Sequence, residues 1–296
     1  MAKVKVGIIG CGAIGASLAK IIEKRFKNEA QLSWLCDHHL PKAAVLQKKL
    51  KSKPAIADSP ELIRKSDLII EAASSHISGQ IAREALKAGK DVLILSVGGL
   101  LGFNRGQAEN HCLSPVDQDI FQSSFSPKGE KVRMRGRGEN GRLWLPSGAI
   151  AGVDALLAAK EAGLKSVKLV TRKPPAGLSE APYFKKKKFP MLQGAKEYCV
   201  FKGNAAEAVK NFPQNINVAA LLSLAGLGPK KTQVEIWTSR KYRANQHEVT
   251  IISNAGEIRT VSKNVPFPEN PKTSALAAYS AAALLRKIFS SMRIGT

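Results

Sequence analysis

Between an apolar run and a helical one lies Gly10-Cys11-Gly12-Ala13-Ile14-Gly15, and this G-x-G-x-x-G restricts the first hundred residues more than any other feature. Val4, Val6, Ile8 and Ile9 before it read as a strand buried on both faces. Residues 16–26 after it have helical spacing, with Leu18, Ile21 and Ile22 apolar against polar Lys20, Glu23 and Lys24. A glycine turn from strand to helix is the phosphate-binding turn of a doubly wound α/β domain. Gly10 permits the tight turn, Gly12 lets the backbone approach a pyrophosphate, and Gly15 lets the helix pack close to the strand. The helix N-terminus at Ala13 and Ile14 then presents unpaired N–H groups to the phosphates.

A second strand, residues 32–36, ends at Asp37, 22 residues after Gly15, where a carboxylate would accept hydrogen bonds from the adenosine ribose. A carboxylate there repels a 2′-phosphate, so NAD is expected as the cofactor, with NADP as the open alternative because His38, His39 and Lys42 lie near. The alternation continues with a basic helix at 41–51, a helix capped by Ser59 with Pro60 at its first position, a strand at 67–73, a helix at 77–88 and a strand at 91–97. The expected fold class is α/β, a Rossmann-type doubly wound parallel sheet. Ligands bind beyond the carboxyl ends of such strands, which puts Ala72, Ala73, Ser74, Ser96 and Val97 along the cofactor cleft.

A chain of 296 residues is long enough for two lobes. An apolar fraction of 44% with 23% charged residues excludes wholesale disorder, collagen and coiled coil. The longest apolar stretches, 216–228 and 274–285, fall short of the roughly 20 residues of a membrane span. The chain opens into a strand and not into a signal peptide. Cys11, Cys36, Cys112 and Cys199 form no Cys-x-x-Cys pair and read as reduced thiols of a cytoplasmic protein; the histidines show no zinc spacing, so no metal site is expected. The formal net charge is +23, which attracts polyanions at low salt. That excess is spread along the chain, +7 over 1–101, +2 over 102–145 and +14 over 146–296. Aromatics make up only 6%, so a nucleic-acid partner is not the favoured reading.

Residues 102–144 lose periodicity and contain the Arg-Gly patch Arg133-Met134-Arg135-Gly136-Arg137-Gly138, which reads as an irregular basic insertion. Beyond it, a helix follows the turn at 145–152, strands are expected at 167–172 and 233–237, and a helix follows 212–220. Residues 247–253 and 257–262 form a hairpin about Asn254-Ala255-Gly256, and Asn270-Pro271-Lys272-Thr273-Ser274 opens a last helix reaching about Phe289. The expected domains are a dinucleotide-binding domain at 1–101 completed by the C-terminal helix of 271–296, the insertion at 102–144, and a second α/β domain with a mixed sheet at 145–270.

At these residues the chain resembles the L-aspartate dehydrogenase family. The matching runs are LPSGAIAG at 145–152, TRKPP at 171–175, FPQNINVAALLSLAG at 212–226, Asn245-Gln246-His247-Glu248, and NPKTS at 270–274. The resemblance implies NAD(P)-dependent oxidation of L-aspartate to iminoaspartate, which hydrolyses to oxaloacetate and ammonia or feeds NAD biosynthesis. It also implies that the second domain forms a homodimer, that His247 is the active-site histidine, and that Ala149 and Asn217 contact the cofactor with Asn215 as a neighbour. Three features depart from the family pattern: a connection at 103–142 longer than its usual helical link, Ser239-Arg240 in place of Asp-Pro, and Gly99 in place of alanine.

Oxidising an amine needs a base for the ammonium proton, and an imidazole such as His247 can be neutral at physiological pH. Two substrate carboxylates need cations, for which Arg172, Lys173 and Lys272 are candidates, with Thr273 and Ser274 adding donors at a helix N-terminus. Two other classes compete. A sugar-type dehydrogenase on the same plan usually carries Glu-Lys-Pro where this chain has Ser96-Val97-Gly98. A non-catalytic NAD- or RNA-binding protein would rely on the basic charge and the Arg-Gly patch.

Overall fold

The apolar run after Lys3 forms β1 (Val4–Ile9), with Val6, Ile8 and Ile9 buried, in a computed structural model that describes residues 2–101, 141–212, 217–267, 270–292 and 294–295. The Arg-Gly patch and Asn215 lie outside the described residues. The chain divides into two compact units, Met1–Trp144 and Leu145–Thr296.

In the first unit β1 leads through the glycine turn to α1 (Ala13–Arg25) and β2 (Ala30–Cys36). There follow α2 (Leu40–Lys49), β3 (Ala55–Ile56), α3 (Ser59–Lys65), β4 (Leu68–Glu71), α4 (Ser78–Lys87), β5 (Asp91–Ile94) and a 3-10 turn at Val97–Leu101. With β6 at Leu143–Trp144, the sheet order is β3-β2-β1-β4-β5-β6, every pair parallel. β1 is therefore central, and the order reverses between β1 and β4, where doubly wound sheets open a crevice for ligands. The strands are apolar nearly throughout because helices cover both faces of such a sheet.

Three details of the first unit differ from expectation. Asp58, not Ser59, caps α3, its Oδ1 accepting from the Glu61 amide at 2.8 Å. Asp and Ser are near-equal caps, and two adjacent candidates leave a one-residue ambiguity. The last sheet strands are short: β5 ends at Ile94 where residues 91–97 were expected. The end of the expected irregular segment is β6 (Leu143–Trp144), which pairs with β5 while Arg142 forms an ion pair with Asp91 at 2.7 Å. Two residues carry no period, so nothing in the sequence marked them.

The second unit holds α5 (Val153–Glu161), β7 (Leu164–Lys173), α6 (Tyr183–Lys186), β8 (Tyr198–Asn204), α7 (Ala205–Asn211) and α8 (Asn217–Ala225). β9 (Gln233–Thr238), β10 (Asn245–Ser253), β11 (Gly256–Asn264), β12 (Pro266–Phe267), β13 (Asn270–Ser274) and α9 (Ala275–Phe289) complete it. Its sheet runs β11-β10-β7-β9-β8 and is mixed: β7 and β9 are parallel, the other pairs antiparallel. One face buries Val167, Leu169, Thr171 and Lys173 of β7 with His247, Val249 and Ile251 of β10, and α5 packs against β7, β10 and α8. The residues expected to open the last helix, 270–274, instead form β13, paired with β12; Ser274 then caps α9, its Oγ accepting from the Leu276 amide at 3.2 Å. Pro271 makes a poor helix interior and suits an edge strand, so tertiary pairing decides the segment.

Candidate functional site

The first unit builds an anion-binding turn. Gly10 adopts a φ of 101°, which a side chain disfavours, and a Cβ there would stand 2.6 Å from the Ala72 carbonyl and the Ala73 amide. A Cβ at Gly15 would stand 1.8 Å from the Gly10 oxygen, so α1 packs directly on the turn. Gly12, by contrast, faces open space and is exposed. It is the N-cap of α1, no side chain caps the helix, and the first turn carries no acidic residue. The amides of Ala13 and Ile14 are thus placed as a phosphate requires, and the residues present fit a dinucleotide.

Asp37 follows β2 directly. Its Oδ2 accepts from the Cys11 amide at 2.8 Å and its Oδ1 from the His39 amide at 2.9 Å. The carboxylate therefore orients the glycine turn; Oδ1 also lies 3.3 Å from His38 Nδ1, and Oδ2 has a second lone pair beyond the one the Cys11 amide uses. Burial and the Asp37 charge push the Cys11 thiol up to about 12, so it is a packing group and not a nucleophile.

Ala72 and Ala73 directly follow β4, and Ser96 and Val97 lie just past the end of β5, Val97 opening the 3-10 turn. Beneath them is a residue that sequence reasoning missed. Glu71, fully buried, accepts from the Ala73 amide (2.9 Å), the Ser74 amide (3.0 Å) and the Ser96 amide (3.0 Å). The available signal was an acid ending the otherwise apolar run Leu68-Ile69-Ile70.

The second unit builds a buried polar cluster. His247 and Thr171 are register partners on β10 and β7, and Thr171 Oγ1 lies 3.0 Å from His247 Nδ1. Lys173, two residues on, shares their face. Burial, reinforced by the Lys173 charge, pushes the His247 imidazole down to about 3, and burial pushes the Lys173 ammonium down to about 8. The imidazole is neutral in the folded protein, and the nearby Lys173 charge helps to keep it so. Thr171 falls within the TRKPP run, but local spacing does not mark it as a site residue, because the pairing of β7 with β10 is a register fact.

The other expected residues separate. Alternation sends Arg172 to the opposite face of β7 from Lys173, where it pairs with Glu248 at 2.9 Å, and Arg259 holds the same carboxylate. Arg172 is accordingly not grouped with His247 as a carboxylate-binding cation. Ala149 is buried, its carbonyl accepting from Asn264 Nδ2 at 2.9 Å. Asn217 opens α8. The Ser274 hydroxyl is engaged in capping α9, and the side chains of Lys272 and Thr273 lie outside the described residues. Among the described residues no cluster of His, Cys, Asp and Glu could hold a metal, and no helix is long and apolar enough to cross a membrane.

Comparison with known proteins bears on these two clusters. Residues 154–288 match the family described as aspartate dehydrogenase, C-terminal, and residues 10–108 match the NAD-binding domain of homoserine dehydrogenase. The chain is 42% identical over 293 residues to an L-aspartate dehydrogenase of Methanosarcina acetivorans, covering 99% of each. It is 33% identical over 291 residues to L-aspartate dehydrogenase 3 of Bordetella bronchiseptica, covering 98% of this chain and 97% of the other. Among solved structures, aspartate dehydrogenase from Thermotoga maritima superposes with a TM-score of 0.69 at 24% identity, covering 99% of this chain and 100% of that one. Apo scyllo-inositol dehydrogenase from Lactobacillus casei gives 0.53 at 14% identity, a likeness of fold alone, covering 99% of this chain and 90% of that one.

Proposed function

Because the chain belongs to the L-aspartate dehydrogenase family, we propose that it oxidises L-aspartate to iminoaspartate with NAD. The enzyme is an oxidoreductase with a pyridine-nucleotide-binding domain. The observation that carries the substrate reading is the buried trio Thr171, Lys173 and His247 on one sheet face.

His247 Nε2 accepts a proton from the substrate ammonium, which frees the nitrogen lone pair. For Nε2 to be the acceptor, Nδ1 carries the ring hydrogen and donates it to Thr171 Oγ1. The cofactor, when bound, supplies the two-electron acceptor for the α-hydrogen. As that hydrogen leaves with its electron pair, the lone pair forms the C=N bond of iminoaspartate. Lys173 holds a substrate carboxylate, and the incoming anion raises the basicity of the neighbouring imidazole toward the working range. Hydrolysis of the imine then gives oxaloacetate and ammonia.

The finer features belong to the same proposal. The carboxylate of Asp37 favours NAD over NADP. Residues 1–101 hold the dinucleotide, and the second domain, 145–270, supplies the base and the homodimer contact. The enzyme works in the cytoplasm, where iminoaspartate supplies NAD biosynthesis.

The test is NADH formation with a panel of amino and hydroxy acids, wild type beside His247→Ala. L-aspartate is expected to be the preferred substrate, with turnover lost by about a hundredfold or more in the variant. No turnover of L-aspartate at any pH from neutral to alkaline would overturn the reading.

A further inference from the structure

We propose that Glu71 is a positioning residue for the nicotinamide end of the dinucleotide, acting through the loops that follow β4 and β5; this rests on the dinucleotide reading above. A buried carboxylate is costly unless its oxygens are hydrogen-bonded. Those of Glu71 are satisfied by donors only, the amides of Ala73 and Ser74 on Oε1 and of Ser96 on Oε2. Partners that only donate favour the ionised carboxylate, while burial, the larger influence, pushes its pKa up.

The bonds join two separate loops. Ala73 and Ser74 follow β4, whereas Ser96 follows β5. A second tie reinforces the first: the buried Ser78 hydroxyl, at the start of α4, donates to the Ser96 carbonyl at 2.8 Å. Both backbone polar groups of Ser96 are thereby fixed to the β4–α4 segment. Packing adds a third. A Cβ at Gly99 would stand 2.1 Å from the Ser75 oxygen and 2.2 Å from Ser78 Oγ, so the two loops approach more closely than an alanine permits. The departure of this chain from the family's usual alanine at 99 is part of the same lock.

Sheet order says which part of the ligand these loops serve. β2, bearing Asp37, lies on one side of β1, and β4 and β5 lie on the other. With the adenosine ribose at Asp37 and the pyrophosphate at the N-terminus of α1, the second nucleoside extends over the ends of β4 and β5. Glu71 is beneath those loops, so its influence passes through their backbone.

The experiment is calorimetric titration of the full chain with NAD and with ADP, without amino acid, for wild type, Glu71→Gln and Ser78→Ala. Gln presents an NH2 group to at least one of the three amides, leaving a buried donor unpaired. NAD affinity is expected to fall about tenfold in Glu71→Gln, with ADP affinity held within about twofold. Ser78→Ala is expected to shift the NAD-to-ADP affinity ratio the same way by about threefold. Hydrogen exchange at the Ala73, Ser74 and Ser96 amides should accelerate in Glu71→Gln. Equal losses for both ligands, or no change in their ratio, would overturn the proposal, and Ser78→Ala alone decides it if Glu71→Gln does not fold. Wild type binding neither ligand would instead defeat the dinucleotide reading, and failure to turn over L-aspartate would leave this test standing.

Discussion

Thr171 and His247 are direct partners across the β7–β10 ladder, and their side chains meet at 3.0 Å inside the sheet face. A strand register fixes this contact more firmly than a loop could, because a slip of one residue would send His247 to the opposite face. Thr171→Val keeps the shape and removes the hydroxyl. The expected result is a kcat lower by about tenfold to a hundredfold with KM for L-aspartate little changed, since the imidazole loses its fixed tautomer and not its anion partner. Steady-state kinetics check this. A change confined to KM would show that Thr171 serves binding.

The buried imidazole makes stability depend on acid. Its folded value near 3 lies below the unfolded value near 6.5, so between those limits the unfolded chain binds a proton that the folded chain refuses. Stability is therefore expected to fall as pH drops through about 6.5, by up to roughly 1.4 kcal/mol per pH unit from this one group. In His247→Gln that component vanishes. Urea unfolding of both proteins from pH 7.5 to 4.5 measures it, and parallel curves would contradict the burial of a neutral ring.

Lys173 carries the opposite experiment. Its ammonium is pushed down to about 8 by burial, so the charge needed to hold a carboxylate is lost above that pH in the free enzyme. Inhibition by succinate, a dicarboxylate without the amine, should weaken by about tenfold per pH unit above about 8. Lys173→Met should remove that dependence and raise the inhibition constant at pH 7 by about tenfold or more.

The first unit was legible in the sequence to a greater degree than the second, for a physical reason. Gly10, Gly12, Gly15 and Asp37 are consecutive in chain order with the strand and helix they serve, so local spacing contains the site. Thr171 and His247 are 76 residues apart, and only the pairing of β7 with β10 joins them. The same alternation that unites Thr171 with Lys173 removes Arg172, a distinction that composition cannot make. Asn270-Pro271 is also a helix-entry pattern, so only the pairing of β13 with β12 distinguishes strand from helix there. Glu71 was overlooked because an acid at a strand end ordinarily faces water.

Asp37 holds the glycine turn through Cys11, and under the proposed function it also receives the ribose, so its replacement is expected to have two consequences. Asp37→Ser is expected to raise the NADP-to-NAD ratio of kcat/KM by about tenfold or more, since the repelling charge is gone. It should also lower affinity for both cofactors, because the Cys11 amide loses a charged acceptor. An unaltered ratio would mean that the carboxylate serves only the turn.

Two glycines of one turn separate packing from ligand approach. A Cβ at Gly15 meets the Gly10 oxygen at 1.8 Å and its carbonyl carbon at 3.0 Å, both backbone atoms that cannot rotate away. Gly15→Ala must therefore push α1 off β1, and a stability loss of roughly 2–4 kcal/mol is expected in urea unfolding. A Cβ at Gly12 meets nothing within 4 Å. Gly12→Ala should fold with stability within about 0.5 kcal/mol of wild type while binding NAD at least about tenfold more weakly, because the methyl group occupies the space through which the pyrophosphate approaches the helix amides. Full NAD affinity in Gly12→Ala would show that the open space above Gly12 is not where the phosphates lie.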